Sequence, residues 1–482
     1  MASKATLLSA QTEKYQPTWS SLDARPMPQW FTRDKFGIFI HWGVYSVPAY
    51  APVIPGKVAY AEWYWHQMRE GRDNPNADGV EKGTWEFHKK LYGANYPYQD
   101  FAPQFRAELF DADYWAKVLA GSGARYVALT SKHHDGFALW PSKEASSSWG
   151  RPWNATEVGP KRDLVGEVTN AVRQANLRMG LYYSLYEWYN PMWLSNKPRF
   201  VREHTFPQFK DMVTRYQPDI IFSDGDWEIP SAEWHSPELL AWLFNESPVK
   251  DKVVVNDRWG SDCPNKHGGY WATEYSTGAT GAYHPWEECR GMGLSFGINR
   301  AERLANYHTG QELVLMLADI VSRGGNLLLD IGPAADGTIP IVMEDRLNQI
   351  GSWLRINGEA IYDTAPWKAT RQWGEGKVPV AGTDKKSGIA FGIVQLASHP
   401  EPGEAPLEAL FTSKEGKLYA ILPAWPGSTF HFKDAPNIRA VTLLGYSEPL
   451  KFQSAGNGVT VSLPMLPDAL LRQPAWTLRF DV

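Results

Sequence analysis

The stretch Tyr126–Phe137 reads YVALTSKHHDGF, and it carries the pattern that decides the fold. Its first five residues, YVALT, are mostly apolar, and the polar residues SKHHD follow at once. A short run that is apolar at nearly every position suits a parallel strand buried on both faces. Polar residues directly after such a run lie at the carboxyl end of the strand, which is the active-site face of a parallel barrel.

The same pattern recurs along the first two thirds of the chain. The other strand-like runs are Phe36–Ile40, Arg178–Tyr183, Asp219–Ser223, Val253–Val255 and Asn326–Ile331. Helical periodicity lies between several of them, at Asp163–Ala175, Phe206–Tyr216, Ser236–Phe244 and Gln311–Ser322. Alternating strands and helices predict an α/β fold, and we expect an irregular (β/α)8-like barrel of the TIM type, although six strands rather than eight are evident.

The sequence pattern changes after about residue 365. Short apolar stretches bounded by Gly, Pro, Ser and Asn predict a small antiparallel β-sandwich. These stretches are Ile389–Gln395, Leu407–Thr412, Lys417–Leu422, Val441–Leu444 and Val459–Leu463. With the joint at Tyr362–Trp367, we expect a catalytic barrel over residues 1–365 and a C-terminal β-sandwich over residues 366–482.

The composition excludes several classes of protein. The 482 residues carry a net charge of −5 without a basic block, which is not the footprint of a nucleic-acid binder. No run of 18 apolar residues predicts a membrane span, and Met1–Gln16 lacks the apolar run of a signal peptide. The two cysteines, Cys263 and Cys289, are expected to be free thiols rather than a disulfide. The 23 tryptophans suit either a large core or a sugar-binding site.

The first chemical candidate is Asp224, which follows the run ending at Ser223 and precedes Gly225. A carboxylate in that position would lie at the barrel rim with room for a ligand. The alternative is an ordinary Asp-Gly turn. Asp226 and Glu228 are close in sequence, and local sequence does not choose among the three carboxylates.

The adjacent pair His133 and His134 is the second candidate. Neighbouring side chains of an extended chain point in different directions, so a shared metal ion is not the expected use, and no HExxH or CxxC pattern suggests a metal elsewhere. Hydrogen bonding to substrate hydroxyls and a structural role are both open. His41, Glu62, Trp63, Tyr182 and Arg258 would join the pair at the same rim. The resulting polar and aromatic pocket suits a neutral sugar, because Gly-rich phosphate loops are absent.

Seven motifs extend these observations into a family resemblance. They resemble glycoside hydrolase family 29, the α-L-fucosidases, and they occur in that family's order between residues 37 and 300. The motifs are GIFIHWG, AEWY, LTSKHHDGFALW, RDLVGE, FSDGDWE, NDRWG and RGMGLSFGINR.

The resemblance implies a retaining exo-acting hydrolase of terminal α-L-fucosyl residues, without a metal or cofactor. In such enzymes one carboxylate attacks the anomeric carbon and a second serves as acid and then base. It implies Asp224 as the nucleophile. For the acid/base it leaves two candidates, Glu274 and Glu287, of which Glu274 is preferred.

The sugar-binding residues also carry over by position. The resemblance implies that polar members hold the fucose hydroxyls and that Trp63 and Phe296 form an apolar wall against the C6 methyl group. The full set is His41, Glu62, Trp63, His133, His134, Tyr182, Arg258 and Phe296. The expected partner is a fucosylated glycan, with no nucleic acid and no membrane span.

Two other functions compete with this prediction. One is a fucose-binding protein without catalysis, and the other is a metal-dependent hydrolase that uses the histidine pair. The family resemblance suggests a secreted, periplasmic or lysosomal enzyme. The fucosyl linkage and the oligomeric state, a homo-oligomer included, are left open.

Overall fold

The computed structural model describes residues 15–57, 59–77, 79–276, 278, 284–378 and 402–482. In this part of the chain, eight parallel strands form one curled sheet in the order β5-β4-β3-β2-β1-β8-β7-β6. They are β1 Phe36–Ile40, β2 Tyr126–Lys132, β3 Arg178–Ser184, β4 Ile220–Asp224, β5 Val254–Val255, β6 Trp271–Glu274, β7 Trp286–Gly291 and β8 Asn326–Ile331. The predicted α/β barrel is confirmed, and all six predicted strands are present.

The two strands that the sequence did not reveal are β6 and β7. They read WATE and WEECRG, so charged residues interrupt the apolar pattern that marks the other strands. The prediction of six strands was therefore incomplete. Side chains such as Glu288 and Arg290 are nevertheless fully buried, because the barrel wall surrounds this part of the sheet.

The sheet closes into a barrel at a narrow seam between β5 and β6. The seam is a parallel bridge between Asn256 and Tyr270. Two backbone hydrogen bonds hold it: Tyr270 donates to Val255 over 3.1 Å and Gly269 donates to Asn256 over 3.0 Å. A Cβ at Gly269 would lie 1.7 Å from the Val255 carbonyl oxygen, so only glycine permits this approach.

Alternation along the strands separates two apolar layers. In β1, Phe36, Ile38 and Ile40 pack outward against the helices, whereas Phe39 joins the cluster inside the barrel. Phe222 of β4 lies in that inner cluster too. Because side chains on one face recur every second residue, His41 and Asp224 are placed one step above these phenylalanines, at the carboxyl end of the barrel interior.

Helices surround the barrel, and the four that the sequence predicts are present within a few residues. The α-helices are Trp19–Leu22, Gln29–Asp34, Tyr64–Asp73, Gly79–Leu91, Ala112–Gly121, Lys143–Trp149, Leu164–Gln174, Pro191–Ser195, Lys197–Phe200, Phe206–Tyr216, Ser231–Trp234, Ser236–Asn245, Gly310–Ser322, Ile341–Asn357 and Asp468–Leu471. The 3₁₀ helices are Val44–Ser46, Ala61–Trp63, Tyr98–Gln104, Leu304–Asn306 and Gly358–Ala360, and Val201–Thr205 is a π-helix. None of the described helices has the length and apolar character to cross a bilayer.

Two antiparallel sheets follow the barrel. One has the order β13-β16-β11-β10-β9 and the other β12-β15-β14. Their strands are β9 Ala365–Trp373, β10 Leu407–Lys414, β11 Lys417–Leu422, β12 Thr429–Phe432, β13 Ala440–Leu443, β14 Phe452–Ala455, β15 Gly458–Ser462 and β16 Trp476–Asp481. The predicted sandwich is confirmed, while the predicted strand at Ile389–Gln395 lies outside the described residues.

The central strands of the larger sheet of the sandwich are buried on both faces. Leu418 and Ala420 pack against the smaller sheet, and the alternate residues Tyr419 and Ile421 join the core of the barrel. Trp353 donates from its indole nitrogen to the carbonyl of Ala475 over 2.9 Å, which ties the last barrel helix to the sandwich. The second domain therefore braces the outer helices of the barrel.

Candidate active site

A cavity opens at the carboxyl ends of the barrel strands. All ten residues of the preferred sequence prediction line it. The lining residues are Phe39, His41, Tyr60, Glu62, Trp63, His133, His134, Tyr182, Phe222, Asp224, Trp227, Arg258, Glu274, Cys289 and Phe296. Seven of the eight strands contribute to it, directly or through the segment that follows, which explains why residues so far apart in sequence meet here.

Asp224 is the last residue of β4 and is buried at the base of the cavity. The hydroxyl of Tyr182 donates to its Oδ2 over 2.8 Å, and Arg258 Nη1 donates to its Oδ1 over 3.0 Å. His134 Nε2 lies 3.5 Å from Oδ2. Gly225 follows with φ of +70°, and a Cβ there would lie 2.7 Å from Tyr186, so the chain turns away and leaves the carboxylate accessible.

Glu274 ends β6 and faces the same cavity. Arg258 Nη2 donates to its Oε2 over 3.1 Å, and the hydroxyl of Tyr60 donates to its Oε1 over 3.1 Å. One guanidinium thus bridges Asp224 and Glu274. Burial alone would lower the pKa of Arg258, but the two carboxylates raise it well above its usual value, so the bridge stays charged.

Glu287 lies elsewhere. It pairs with Ala272, two residues below Glu274 in the sheet, and opposite Asn326 at the start of β8. Tyr126 donates a hydrogen bond to its carboxylate, and burial raises its pKa to about 7. It does not line the cavity, so the structure does not bring this alternative acid/base candidate to Asp224.

The histidines of the cavity are held by neighbouring polar groups. His41 Nδ1 lies 2.6 Å from Asp330 Oδ1, and His134 Nδ1 lies 2.6 Å from Ser184 Oγ. Burial lowers the pKa of His41, His133 and His134 well below the usual value, and their mutual proximity adds to the effect. Neutral imidazoles can both donate to and accept from sugar hydroxyls.

The expectation that His133 and His134 point in different directions was wrong. Both line the cavity, and their ring centroids are 4.2 Å apart. The reason is that β2 ends at Lys132, so the two histidines lie in a turn where strand alternation no longer applies. Among the described residues, no group of three or more His, Cys, Asp or Glu side chains is arranged to hold a metal ion.

Glu62 and Phe296 line the cavity close to one another in the fold. The backbone N–H of Gly297 donates to Glu62 Oε2 over 2.8 Å, whereas Oε1 has no hydrogen-bond partner within the described structure. Burial raises the pKa of Glu62 to about 8, so this side chain carries a proton at neutral pH. Phe296 stacks on His41 at 4.8 Å and forms an apolar part of the lining.

A second, fully buried group of charges lies behind the histidine turn and centres on Glu187. Lys132 Nζ and His204 Nε2 lie 2.9 and 2.7 Å from Glu187 Oε1. Trp149 and Asn190 donate to Oε2 over 2.7 and 2.6 Å. Burial opposes its charge, yet His204 and Lys132 hold the pKa of Glu187 below its usual value. Every oxygen of this carboxylate is therefore satisfied away from solvent.

Five lining residues were not among the predicted site residues: Phe39, Tyr60, Phe222, Trp227 and Cys289. Phe39 and Phe222 precede His41 and Asp224 by two positions, so strand alternation could have identified them. Cys289 belongs to the unrecognised strand β7. Tyr60 and Trp227 lie in loops, where no periodic signal exists. Both cysteines are free and buried, as expected from the sequence.

The barrel and its two carboxylates together indicate a class of protein. A pocket at the carboxyl ends of the strands that holds two carboxyl groups close together is typical of a barrel glycoside hydrolase.

The comparisons with known proteins identify the family. The family model described as alpha-L-fucosidase matches residues 2–359, and that of the alpha-L-fucosidase C-terminal domain matches residues 407–481. An alpha-L-fucosidase of Branchiostoma floridae is 40% identical over 98% of this chain and 97% of its own. The human plasma alpha-L-fucosidase is 41% identical over 94% of this chain and 89% of its own.

A solved structure agrees in fold as well as sequence. The Thermotoga maritima alpha-fucosidase in complex with fucose has a TM-score of 0.75 and 32% identity, covering 97% of this chain and all of that one. The chain belongs to glycoside hydrolase family 29, the retaining α-L-fucosidases. These relatives do not favour a metal-dependent hydrolase or a binding protein without catalysis.

Proposed function

We propose that Asp224 is the nucleophile and Glu274 the acid/base of this α-L-fucosidase. The observation that carries the proposal is the bridge of Arg258, which donates to both carboxylates at 3.0 and 3.1 Å. Retaining glycosidases need two carboxyl groups about 5–5.5 Å apart. A single guanidinium in contact with both groups is consistent with such a spacing.

The reaction follows from these positions. Asp224 attacks the anomeric carbon while Glu274 donates its proton to the glycosidic oxygen, so the C–O bond breaks and a fucosyl ester forms. Glu274 then takes a proton from water, and the hydroxide oxygen bonds to the anomeric carbon as the ester bond to Asp224 breaks. Two inversions give net retention of configuration.

We infer that the remaining predicted residues bind the fucosyl ring. His41, His133 and His134 are neutral and suit hydroxyl groups, and Glu62 can donate its proton to a further hydroxyl. Trp63 and Phe296 supply apolar surface for the C6 methyl group. An apolar wall rejects an added hydroxyl only about a hundredfold, so slow action on α-L-galactosides is expected.

The test uses the parent protein with chromogenic α-L-fucosides and α-L-galactosides. Proton NMR of the first product should show the α-anomer of fucose, and the α-L-galactoside should be cleaved on the order of a hundredfold more slowly. Release of the β-anomer first would reject the double displacement. Equal rates on the two sugars would reject the methyl wall.

We also propose the division of the chain at residue 365, with the catalytic domain before it and the β-sandwich after it. The pairing of β9 with β10 in the antiparallel sheet supports this boundary. We propose a secreted, periplasmic or lysosomal location. The similarity to a relative named as a plasma enzyme supports a location outside the cytosol.

A further inference from the structure

Trp227 differs from every other residue that lines the cavity. Trp227 is 44% exposed, and it is the most exposed residue among those that the described structure places around the cavity. Phe39, Phe222 and Phe296, by contrast, are at most 5% exposed. The indole therefore lies at the mouth of the cavity, between the enclosed space and solvent.

The neighbours of Trp227 hold the ring in place without covering it. His134 and Tyr186 meet it in edge-to-face contacts at 5.1 and 5.8 Å, and Trp63 lies tilted against it at 5.7 Å. These three contacts fix the ring in its loop. An indole that is fixed by its neighbours and yet remains open to solvent is pre-organised to pack against a ligand.

The position of the bond that breaks indicates which ligand packs against Trp227. In the proposed mechanism, the fucosyl ring occupies the enclosed cavity, and the bond that breaks lies between Asp224 and Glu274. The group that leaves must therefore extend outward, past the mouth. Trp227 follows Asp224 by three residues and stands at that mouth. The leaving group of a glycan is a pyranose, whose C–H face is apolar.

We propose that Trp227 is the platform of a binding site for the leaving-group sugar, with a pyranose face packed on the indole. This inference rests on the proposed roles of Asp224 and Glu274. The rim beside the ring is charged, since Glu228 pairs with Lys197 at 3.3 Å and both are partly exposed. These groups can meet sugar hydroxyls at the edge of the platform.

The test compares two substrates that share fucose but differ in the leaving group. One is α-L-fucosyl fluoride, which has no leaving sugar, and the other is whichever fucosyl disaccharide of a linkage panel the parent cleaves fastest. For Trp227→Ala, kcat/KM should fall at least about tenfold more on the disaccharide than on the fluoride, because apolar contact area is lost only with the sugar. Trp227→Phe should recover part of the difference.

A matched control is Glu228→Gln, which changes the adjacent charge and keeps the ring. Its effect on the disaccharide should be smaller than that of Trp227→Ala, and all variants should keep the parent circular dichroism spectrum and Tm. An equal loss on both substrates would overturn the proposal and place Trp227 in the fucose pocket. No loss on the disaccharide would overturn it as well.

A second measurement tests sugar binding at Trp227 through transfer of the fucosyl group to an added sugar. With fucosyl fluoride as donor and added methyl β-galactoside as acceptor, the parent should divide the fucosyl-enzyme between water and the sugar. Trp227→Ala should lower the share transferred to the sugar, and an unchanged share would contradict the platform. If the parent does not hydrolyse fucosyl fluoride, the proposed function fails instead, which is a different outcome.

Discussion

Two buried carboxylates lie on opposite sides of the turn that contains His133 and His134, and they differ in their access to the cavity. Glu187, behind the turn, is closed off from solvent and has four partners on its two oxygens. Asp224, in front of the turn, meets Tyr182 and Arg258 but faces the open cavity. A carboxylate enclosed by four partners stabilises a fold, whereas one that keeps a side open to the cavity is free to react.

Residues expected to serve stability and residues expected to serve catalysis are neighbours in the chain here. Lys132 pairs with Glu187, and the next two residues, His133 and His134, line the cavity. A Cβ at Gly136 would lie 2.4 Å from Glu187, so the turn is packed directly onto the buried group of charges around Glu187. Substitutions in the two groups should therefore affect different measurements.

The largest effect on activity is expected from a substitution of Asp224. Asp224→Ala should lower kcat/KM for a chromogenic fucoside by at least about a thousandfold, because no other group can form the fucosyl ester. The exposed residue Glu233 offers a control on a neighbouring short helix, and Glu233→Ala should retain parent activity. Activity of Asp224→Ala within tenfold of the parent would remove Asp224 from the mechanism.

The next effect separates the two acid/base candidates. Glu274→Ala should lose on the order of 10² to 10⁴ in rate on substrates with poor leaving groups, and less on fucosyl fluoride, which needs no proton. Added azide should restore its rate and yield fucosyl azide. Glu287→Gln, which keeps the size of a side chain outside the cavity, should show no such rescue. Rescue of the Glu287 variant alone would reverse the assignment.

The buried group of charges around Glu187 should affect stability rather than activity. Glu187→Ala leaves Lys132 and His204 without their carboxylate, and such a loss costs roughly 3–5 kcal/mol of unfolding free energy. Glu86→Ala is the comparison, since its pair with Lys89 is exposed and is worth at most about 1 kcal/mol. Urea unfolding measures both. Similar midpoints for the two variants would show that the buried group does not stabilise the barrel.

The smallest effect is a pH dependence set by Glu62. Its pKa of about 8 means that proton donation to substrate is lost as pH rises through 8, and kcat/KM should fall by up to about tenfold per pH unit above it. Because the unfolded chain releases this proton near pH 4.5, stability also declines between about pH 4.5 and 8. Glu62→Gln should flatten both profiles relative to the parent, and an unchanged alkaline limb would contradict this role.

Much of the fold was predictable because burial on both faces makes strands such as Phe36–Ile40 nearly continuous in apolar residues. The strands β6 and β7 were not, because their charges are satisfied by partners that only the closed barrel supplies. Thr273, for example, donates to Glu288 within the barrel wall. Local sequence does not contain that pairing.

The site was predictable to the extent that it follows strand ends. Asp224 and His41 lie one alternation step above buried phenylalanines, and position made them candidates. The choice of Asp224 over Asp226 came from the family motif and was supported by position, because Asp224 is nearer to the strand end. Trp227 has no periodic context, and its importance emerges only from its exposure in the folded chain.

The seam of the barrel has a consequence for the spacing of the catalytic pair. Two backbone hydrogen bonds join β5 to β6, whereas β1 and β8 pair at five positions. Arg258 follows one side of this seam and Glu274 ends the other, so the salt bridge also ties the two edges together. The spacing of the two carboxyl groups therefore depends on this narrow joint and on Arg258, which contacts both groups.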